Sequence, residues 1–251
     1  MTKYAKKHPY LLLLLLAFIV IVLLGVRGYR LQPNLTVAKN GSLEILLQLA
    51  STSVYVDSKK IITTQGENET VKIPLRVRDH EVIIGRAGYF PWTKKVAIPS
   101  DTVVKISPLF VTQTTTGQIV TKNDPEYFSI RANVNATILP TREKPRQQGN
   151  ATLWAENNSI VMSIKTDTGE KTFTILTPKD TLRSLDFYKD RTDAVIFAGD
   201  RGIYAVEAIE DADLNKANFY PLYTGARPLF LKTDNSFIYV LDGENLMMVV
   251  V

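Results

Sequence analysis

The stretch "DHEVIIGRAGYFPW", residues 79–92, decides how the middle of this chain is read. A period of two places His80, Val82 and Ile84 on one face of a strand. Gly88 then supplies the backbone freedom of a tight turn. His80 is the only histidine beyond the first ten residues, and the chain has no cysteine with which it could complete a zinc site. The expectation is a structural imidazole at the entrance of a strand.

Working outward, Val71, Ile73, Leu75 and Val77 recur at every second position upstream, with a turn expected at Arg78 and Asp79. "SVYVDSKKI" (53–61) alternates Val54 and Val56 with Tyr55 and Asp57, and its Asp-Ser-Lys step reads as a hairpin turn. Downstream, "KKVAIPSDTVVKISPLFV" (94–111) adds two runs, one with Val96 and Ile98, the other setting Val103, Lys105 and Ser107 against Val104 and Ile106. Five to seven short strands in about 70 residues predict a small antiparallel β-sandwich.

These residues resemble the PEGA domain, an extracytoplasmic β-sandwich module of bacteria and archaea. Val54 to Asp57 match its VYVDG-type hairpin, His80 and Val82 its G-H-x-V-x-V strand, and Gly88 with Tyr89 its Gly-Tyr turn. The likeness covers residues 41–110. Two departures stand out: "ASTS" (50–53) replaces the Pro-Glu-Gly-Ala element, and Asp79 stands where a glycine usually precedes the histidine. The resemblance implies that His80 introduces a strand and that Tyr89 packs its ring over the sandwich.

Nearer the N-terminus, "YLLLLLLAFIVIVLLGV" (10–26) carries no charge. As a helix it would cover roughly 25 Å, near the lower limit for crossing a bilayer. Lys7 and Arg27 flank it and can snorkel to the interface. A cleaved leader would need small residues at an A-x-A-like site, but Gly25, Val26, Arg27, Gly28 and Tyr29 stand there. A helix of a globular core would carry a polar stripe, and this one has none.

The expectation is therefore a transmembrane helix over residues 10–27. It follows a cytoplasmic leader, residues 1–9, with Lys3, Lys6 and Lys7, and only Arg27 and Arg30 follow closely, so the bulk of the chain is expected outside the cytoplasm. Exported domains without disulfides suit a bacterial envelope better than a eukaryotic secretory route. Six N-x-S/T sequons, at Asn34, Asn40, Asn68, Asn135, Asn150 and Asn157, carry no weight where no glycosylation machinery exists.

Composition bounds the remainder. The chain has 251 residues, 45% hydrophobic and 22% charged, as in a folded protein. Of the formal charge of +5, three belong to the leader lysines, leaving about +2 beyond it. Basic and acidic residues are interspersed, with no basic-aromatic track, so nucleic acid is not an expected partner.

Residues 28–40 read as a stalk, and residues 111–150, rich in Thr, Asn, Pro and Gly, as a linker with weak strands. Over residues 151–251 three similar units follow, beginning "LWAENNSIVMSIK" (153–165), "LDFYKDRTDAVIF" (185–197) and "LFLKTDNSFIYVL" (229–241). Leu185 aligns with Leu229 and Ile196 with Ile238, at offsets of 44 and 42, while Ile160 precedes Ile196 by 36. Such periods predict propeller-like blades. Two or three blades would not close a ring, and the final "MMVVV" (247–251) reads as an open edge. A truncated ring, blades supplied by a partner, or an open stack would each account for this, and truncation is the expected reason.

No Walker loop, dinucleotide fingerprint, HExxH or GxSxG motif occurs. Glu207, Glu210, Asp211 and Asp213 lack the spacing of a calcium loop. Asp167, Asp200 and Asp242 each precede a turn glycine, where Asp is favoured for backbone reasons, although paired carboxylates also serve glycoside hydrolysis. Trp92 and Trp154 would stack on sugars if exposed and fill cores if not.

The reading is a mainly β protein with one transmembrane helix, a PEGA-like sandwich and incomplete propeller-like blades. Its expected role is a non-catalytic envelope scaffold or binding module for protein or cell-wall polymer. No catalytic, metal or cofactor residue is assigned; the alternatives are a glycan-hydrolysing envelope enzyme and a ligand sensor.

Overall fold

The computed structural model describes residues 9–26, 28–31, 37–209 and 217–251. Among the described residues the protein is mainly β, about half of them in strands and few in helix, built as several small sheets with no closed barrel. It divides into two compact units, Met1–Ile84 with Thr93–Pro108, and Gly85–Trp92 with Leu109–Val251.

The first unit begins with helix α1, Pro9–Val26. Its 18 residues extend about 27 Å, short of a hydrocarbon core of about 30 Å. Among the described residues no helix is long and apolar enough to cross a membrane, so the structure gives no support to the transmembrane helix expected over 10–27. Where the stalk was expected, strands β1 (Tyr29–Leu31) and β2 (Val37–Lys39) form an antiparallel pair. The Gly28 carbonyl accepts the Asn40 N–H at 3.0 Å, which ties the two ends of this hairpin.

Seven strands then form two sheets: β3 (Gly41–Leu47), β4 (Ser53–Val56), β5 (Lys59–Thr63), β6 (Glu69–Leu75), β7 (Arg78–Gly85), β8 (Trp92–Ile98) and β9 (Val103–Ile106). One sheet has the order β6-β3-β9, the other β5-β4-β7-β8. Leu43, Ile45, Leu47, Val54, Val56, Val82 and Ile84 are buried, as the alternation requires of an inward face. Burying each such side chain contributes about 1.5–3 kcal/mol.

This fits the expected β-sandwich, with one correction. Strands β3 and β9 pair in parallel, Ser42 with Val103 through Ile45 with Ile106, so the fold is mixed rather than antiparallel. A parallel pair needs a long crossover, and here the intervening chain supplies it by building the other sheet. The expected turn at Arg78 and Asp79 falls slightly earlier, since both residues already belong to β7.

The second unit holds three four-stranded antiparallel sheets. The first contains β11 (Arg146–Gln148), β12 (Ala151–Glu156), β13 (Ser159–Thr166) and β14 (Gly169–Leu176). The second contains β15 (Ser184–Phe187), β16 (Ala194–Ala198), β17 (Gly202–Glu207) and β18 (Phe219–Thr224). The third runs β19 (Leu229–Lys232), β20 (Phe237–Asp242), β21 (Asn245–Val250) and then β10 (Gly117–Val120), a strand that precedes the first sheet in the chain.

The expected open edge at 247–251 is therefore closed by pairing. Strand β21 bonds to β20 on one side and to β10 on the other, from Gly117 opposite Val249 to Val120 opposite Leu246. The approach is so close that a Cβ on Gly117 would stand 2.5 Å from the Met248 carbonyl oxygen. Only glycine fits there.

Leu153, Ile160 and Met162 of the first sheet share one core with Leu185, Phe187, Val195 and Phe197 of the second. Helix α2 (Tyr127–Asn135), in the segment read as a linker, covers the third sheet by burying Tyr127 and Val134 against Leu241 and Leu246. A turn precedes the helix, with the Asp124 carbonyl accepting the Tyr127 N–H at 3.0 Å and Glu126 standing at the N-cap.

Candidate functional site

His80 lies on the buried face with Val82 and Ile84, as the alternation of residues 80–84 predicts. Its Nδ1 is 2.8 Å from Asp57 Oδ2 and its Nε2 3.0 Å from the Arg76 carbonyl oxygen. Asp57 sits at the β4–β5 turn with a positive φ of 49° and also accepts the Glu81 N–H and the Arg78 guanidinium. Burial opposes ionisation of Asp57, but the hydrogen bonds from His80 and Glu81 and the charge of Arg78 hold its carboxyl below the usual range. Both ring nitrogens are thus occupied in joining a turn to a strand, and this imidazole has no free atom to offer a ligand.

Gly88 takes a φ of +81°, and the Tyr89 N–H bonds back to the Arg86 carbonyl, so the turn of the opening stretch forms. Residues 85–92 belong to the second unit, where Tyr89 meets Phe110 edge-on at 6.0 Å and pairs with Thr112.

Both tryptophans are buried, Trp92 and Trp154 alike, so neither is a sugar platform. Trp92 Nε1 donates to Glu207 Oε1 at 2.5 Å, and Asn218 donates to Glu207 Oε2 through its side chain at 3.0 Å. A buried carboxylate held by these donors is a structural fastening, which the acidic run around Glu207 in the sequence does not announce. Of that run, Glu210, Asp211 and Asp213 lie outside the described residues; among the described ones no group of acidic or histidine side chains is placed to hold a metal ion.

The turn carboxylates Asp200 and Asp242 serve their own backbone. Asp200 Oδ2 accepts the Thr181 N–H at 3.2 Å, and that bond, with Arg183 and Arg227 nearby, holds its carboxyl below the usual range despite some desolvation. Asp242 Oδ2 accepts the Tyr223 hydroxyl at 2.9 Å and the Ala226 N–H at 3.3 Å. Burial first, then Asp242, pushes the Tyr223 phenol up to about 12. Asp167 is exposed in the β13–β14 turn.

The first strands of the three sheets carry a charged seam. Arg146 on β11 reaches Asp186 on β15 at 3.6 Å, and Lys232 on β19 donates to the carbonyls of Phe187 and Lys189. Burial raises the Asp186 carboxyl and lowers the Lys232 ammonium. The seam lies beside an open polar hollow of about 330 Å³. Its Lys232 is engaged by backbone carbonyls, which makes it a cross-brace between sheets.

A cleft of about 440 Å³ lies in the second unit, within the range of small-ligand sites. Leu176 and Val206 are buried in its floor, and three aromatic rings build its wall. Tyr204 and Phe219 stack at 5.0 Å and 29°, with Phe197 behind them at 5.5 and 6.0 Å. Phe219 is 46% exposed. At the mouth Arg201 grips Asp180 with Nε and Nη2, at 2.8 and 3.3 Å. These residues come from four separated stretches, and no spacing in the sequence announces them.

No family model matches the chain, and no curated protein sequence does. Among solved structures it is similar to the crystal structure of a DUF3823 family protein from Bacteroides ovatus, at 9% identity. The match covers 84% of this chain and 97% of that one, with a TM-score of 0.23, too loose a superposition to assign a fold.

Proposed function

We propose that the protein is a membrane-tethered, non-catalytic binding module of a bacterial envelope. Helix α1 sits in lipid, the leader stays in the cytoplasm, and the β units stand on the far side. The PEGA-like sandwich is a spacer, and the propeller-like second unit binds an envelope protein or cell-wall polymer in its aromatic cleft.

The observation that carries this reading is α1 itself. Leu13 is 70% exposed, Phe18 64% and Ile21 66%, with no polar side to the helix and no protein core over those residues. A helix apolar all round needs an apolar surrounding, which supports a place in lipid. Tyr10 and Tyr29, near its two ends, suit the interfacial aromatic belt. In the sequence Lys7 and Arg27 flank the helix, and basic side chains of that length can snorkel to the interface, which supports a short span.

Support for the PEGA-like reading comes from the inward His80, Val82 and Ile84 and from the turn at Gly88. Support for the propeller-like reading comes from three successive four-stranded antiparallel sheets whose first strands, β11, β15 and β19, lie side by side.

The native chain lacks cysteine, so single cysteines report topology directly. In intact cells a membrane-impermeant maleimide should label Asp167→Cys and leave Thr2→Cys unlabelled until lysis, with both variants resisting carbonate extraction. Recovery in the soluble fraction, or the reverse labelling pattern, would overturn the proposal.

A further inference from the structure

The cleft has a composition that selects an occupant, and this step rests on the reading of the second unit as a binding module. Its floor and wall are apolar and include a large ring left 46% exposed, which favours a bulky apolar side chain over a hydrated sugar ring. The charged groups among the described lining residues are Lys179, Asp180 and Arg201, a net positive mouth. Arg201 is 74% exposed while its partner Asp180 is 26% exposed, so the guanidinium keeps donors facing solvent.

We infer that the cleft takes an extended segment of a partner protein that presents a leucine- or phenylalanine-sized side chain and, two residues away, a carboxylate. In an extended chain those two side chains point the same way. The first covers Tyr204 and Phe219, and the second shares the Arg201 guanidinium with Asp180 in the planar two-pronged geometry that arginine offers to carboxylates. The rings supply the apolar contact, and Arg201 sets the choice of charge.

The test uses the full chain in detergent micelles and fluorescein-labelled nonapeptides carrying a central Leu or Phe followed two positions later by Asp, Asn or Lys. Fluorescence anisotropy should show the Asp series binding about tenfold more tightly than the Lys series. Arg201→Glu should reverse that order, and Phe219→Ser should weaken every series about tenfold. Both positions are exposed, so unchanged thermal unfolding of the variants confirms that the fold persists.

Absence of binding by every series up to about 1 mM overturns the inference, as does a charge preference that Arg201→Glu leaves in place. Soluble wall-glycan fragments binding in a Phe219-dependent manner, in place of peptides, also overturn it. In that last outcome the binding-module reading stands and only its occupant changes. Failure of the membrane reading shows separately, in the maleimide labelling.

Discussion

Asp200 and Asp242, 42 residues apart, do the same work in successive sheets. Each lies where the second strand of its sheet turns into the third, and each accepts a backbone N–H from the connection that leads into that sheet, Thr181 for one and Ala226 for the other. Asn158 plays a related part in the first sheet, accepting the Leu182 N–H at 2.8 Å. What a search for paired carboxylates picks out as chemistry is thus a repeated fastening of one sheet to the next.

Loss of that fastening should loosen the second unit. Asp242→Ala strands the Tyr223 hydroxyl and the Ala226 N–H, and should cost about 1–2 kcal/mol, read as a lower urea midpoint by circular dichroism. Asp200→Ala should shift the midpoint in the same direction. An Asp242→Asn variant keeps an acceptor and should recover most of the loss.

The His80–Asp57 pair gives the first unit a pH dependence with a defined sign. The folded carboxyl of Asp57 lies below its ordinary value of 3.8, so its contribution is fully present above that value and is lost as pH falls through the folded one. Urea midpoints of wild type and Asp57→Ala should therefore converge as pH drops below the ordinary value. At neutral pH the variant should be less stable by about 1–3 kcal/mol, because His80 loses a partner while 4% exposed. Midpoints that stay equally far apart at all pH values would show that the carboxylate is not what holds the turn.

Trp92 and Glu207 form the most buried charge-assisted contact described above. Trp92→Phe retains the ring and removes the Nε1 donor, so the cost, about 1.5–3 kcal/mol, falls on Glu207 rather than on packing. Pairing it with Glu207→Gln in a double-mutant cycle should give a positive coupling energy by urea titration. Additive effects would argue against a direct bond.

A charge in the middle of α1 should release the protein from lipid. Leu16→Arg places a guanidinium where insertion costs about 2.5–3.5 kcal/mol, and a measurable share of the chain should move from the membrane pellet to the supernatant. Leu16→Phe, of similar polarity, should not. Equal partitioning of the two variants would mean that the helix is not surrounded by hydrocarbon.

Much of this architecture was legible in the sequence, and the illegible parts have identifiable reasons. Alternation named the inward Val71, Ile73, His80, Val82 and Ile84, because a half-buried strand can satisfy its two environments in no other way, whereas Leu75 is only half-buried and Val77 lies beyond β6. Leu185 with Leu229, and Ile196 with Ile238, fell on equivalent strands, whereas Ile160 belongs to a third strand and Ile196 to a second, so that offset was out of register. The parallel pairing of β3 with β9 left no mark, since period two is common to both strand directions.

Helix α2 was hidden because it buries only Tyr127 and Val134, seven positions apart, too sparse a pattern to set against its β-branched and aromatic content. The cleft was hidden for a different reason. Its aromatic wall joins Phe197 and Tyr204 to Phe219 across a sheet, and such a surface exists only after three strands have paired.

The partner of β10 sits far along the chain, with Gly117 facing Val249 across 132 positions. Closing so long a loop is slow and entropically unfavourable, so the third sheet cannot be finished until nearly all of the second unit has been synthesised. Until then β10, made first, has no partner along its length, and the maturing polypeptide is at its most vulnerable to self-association and proteolysis during that interval.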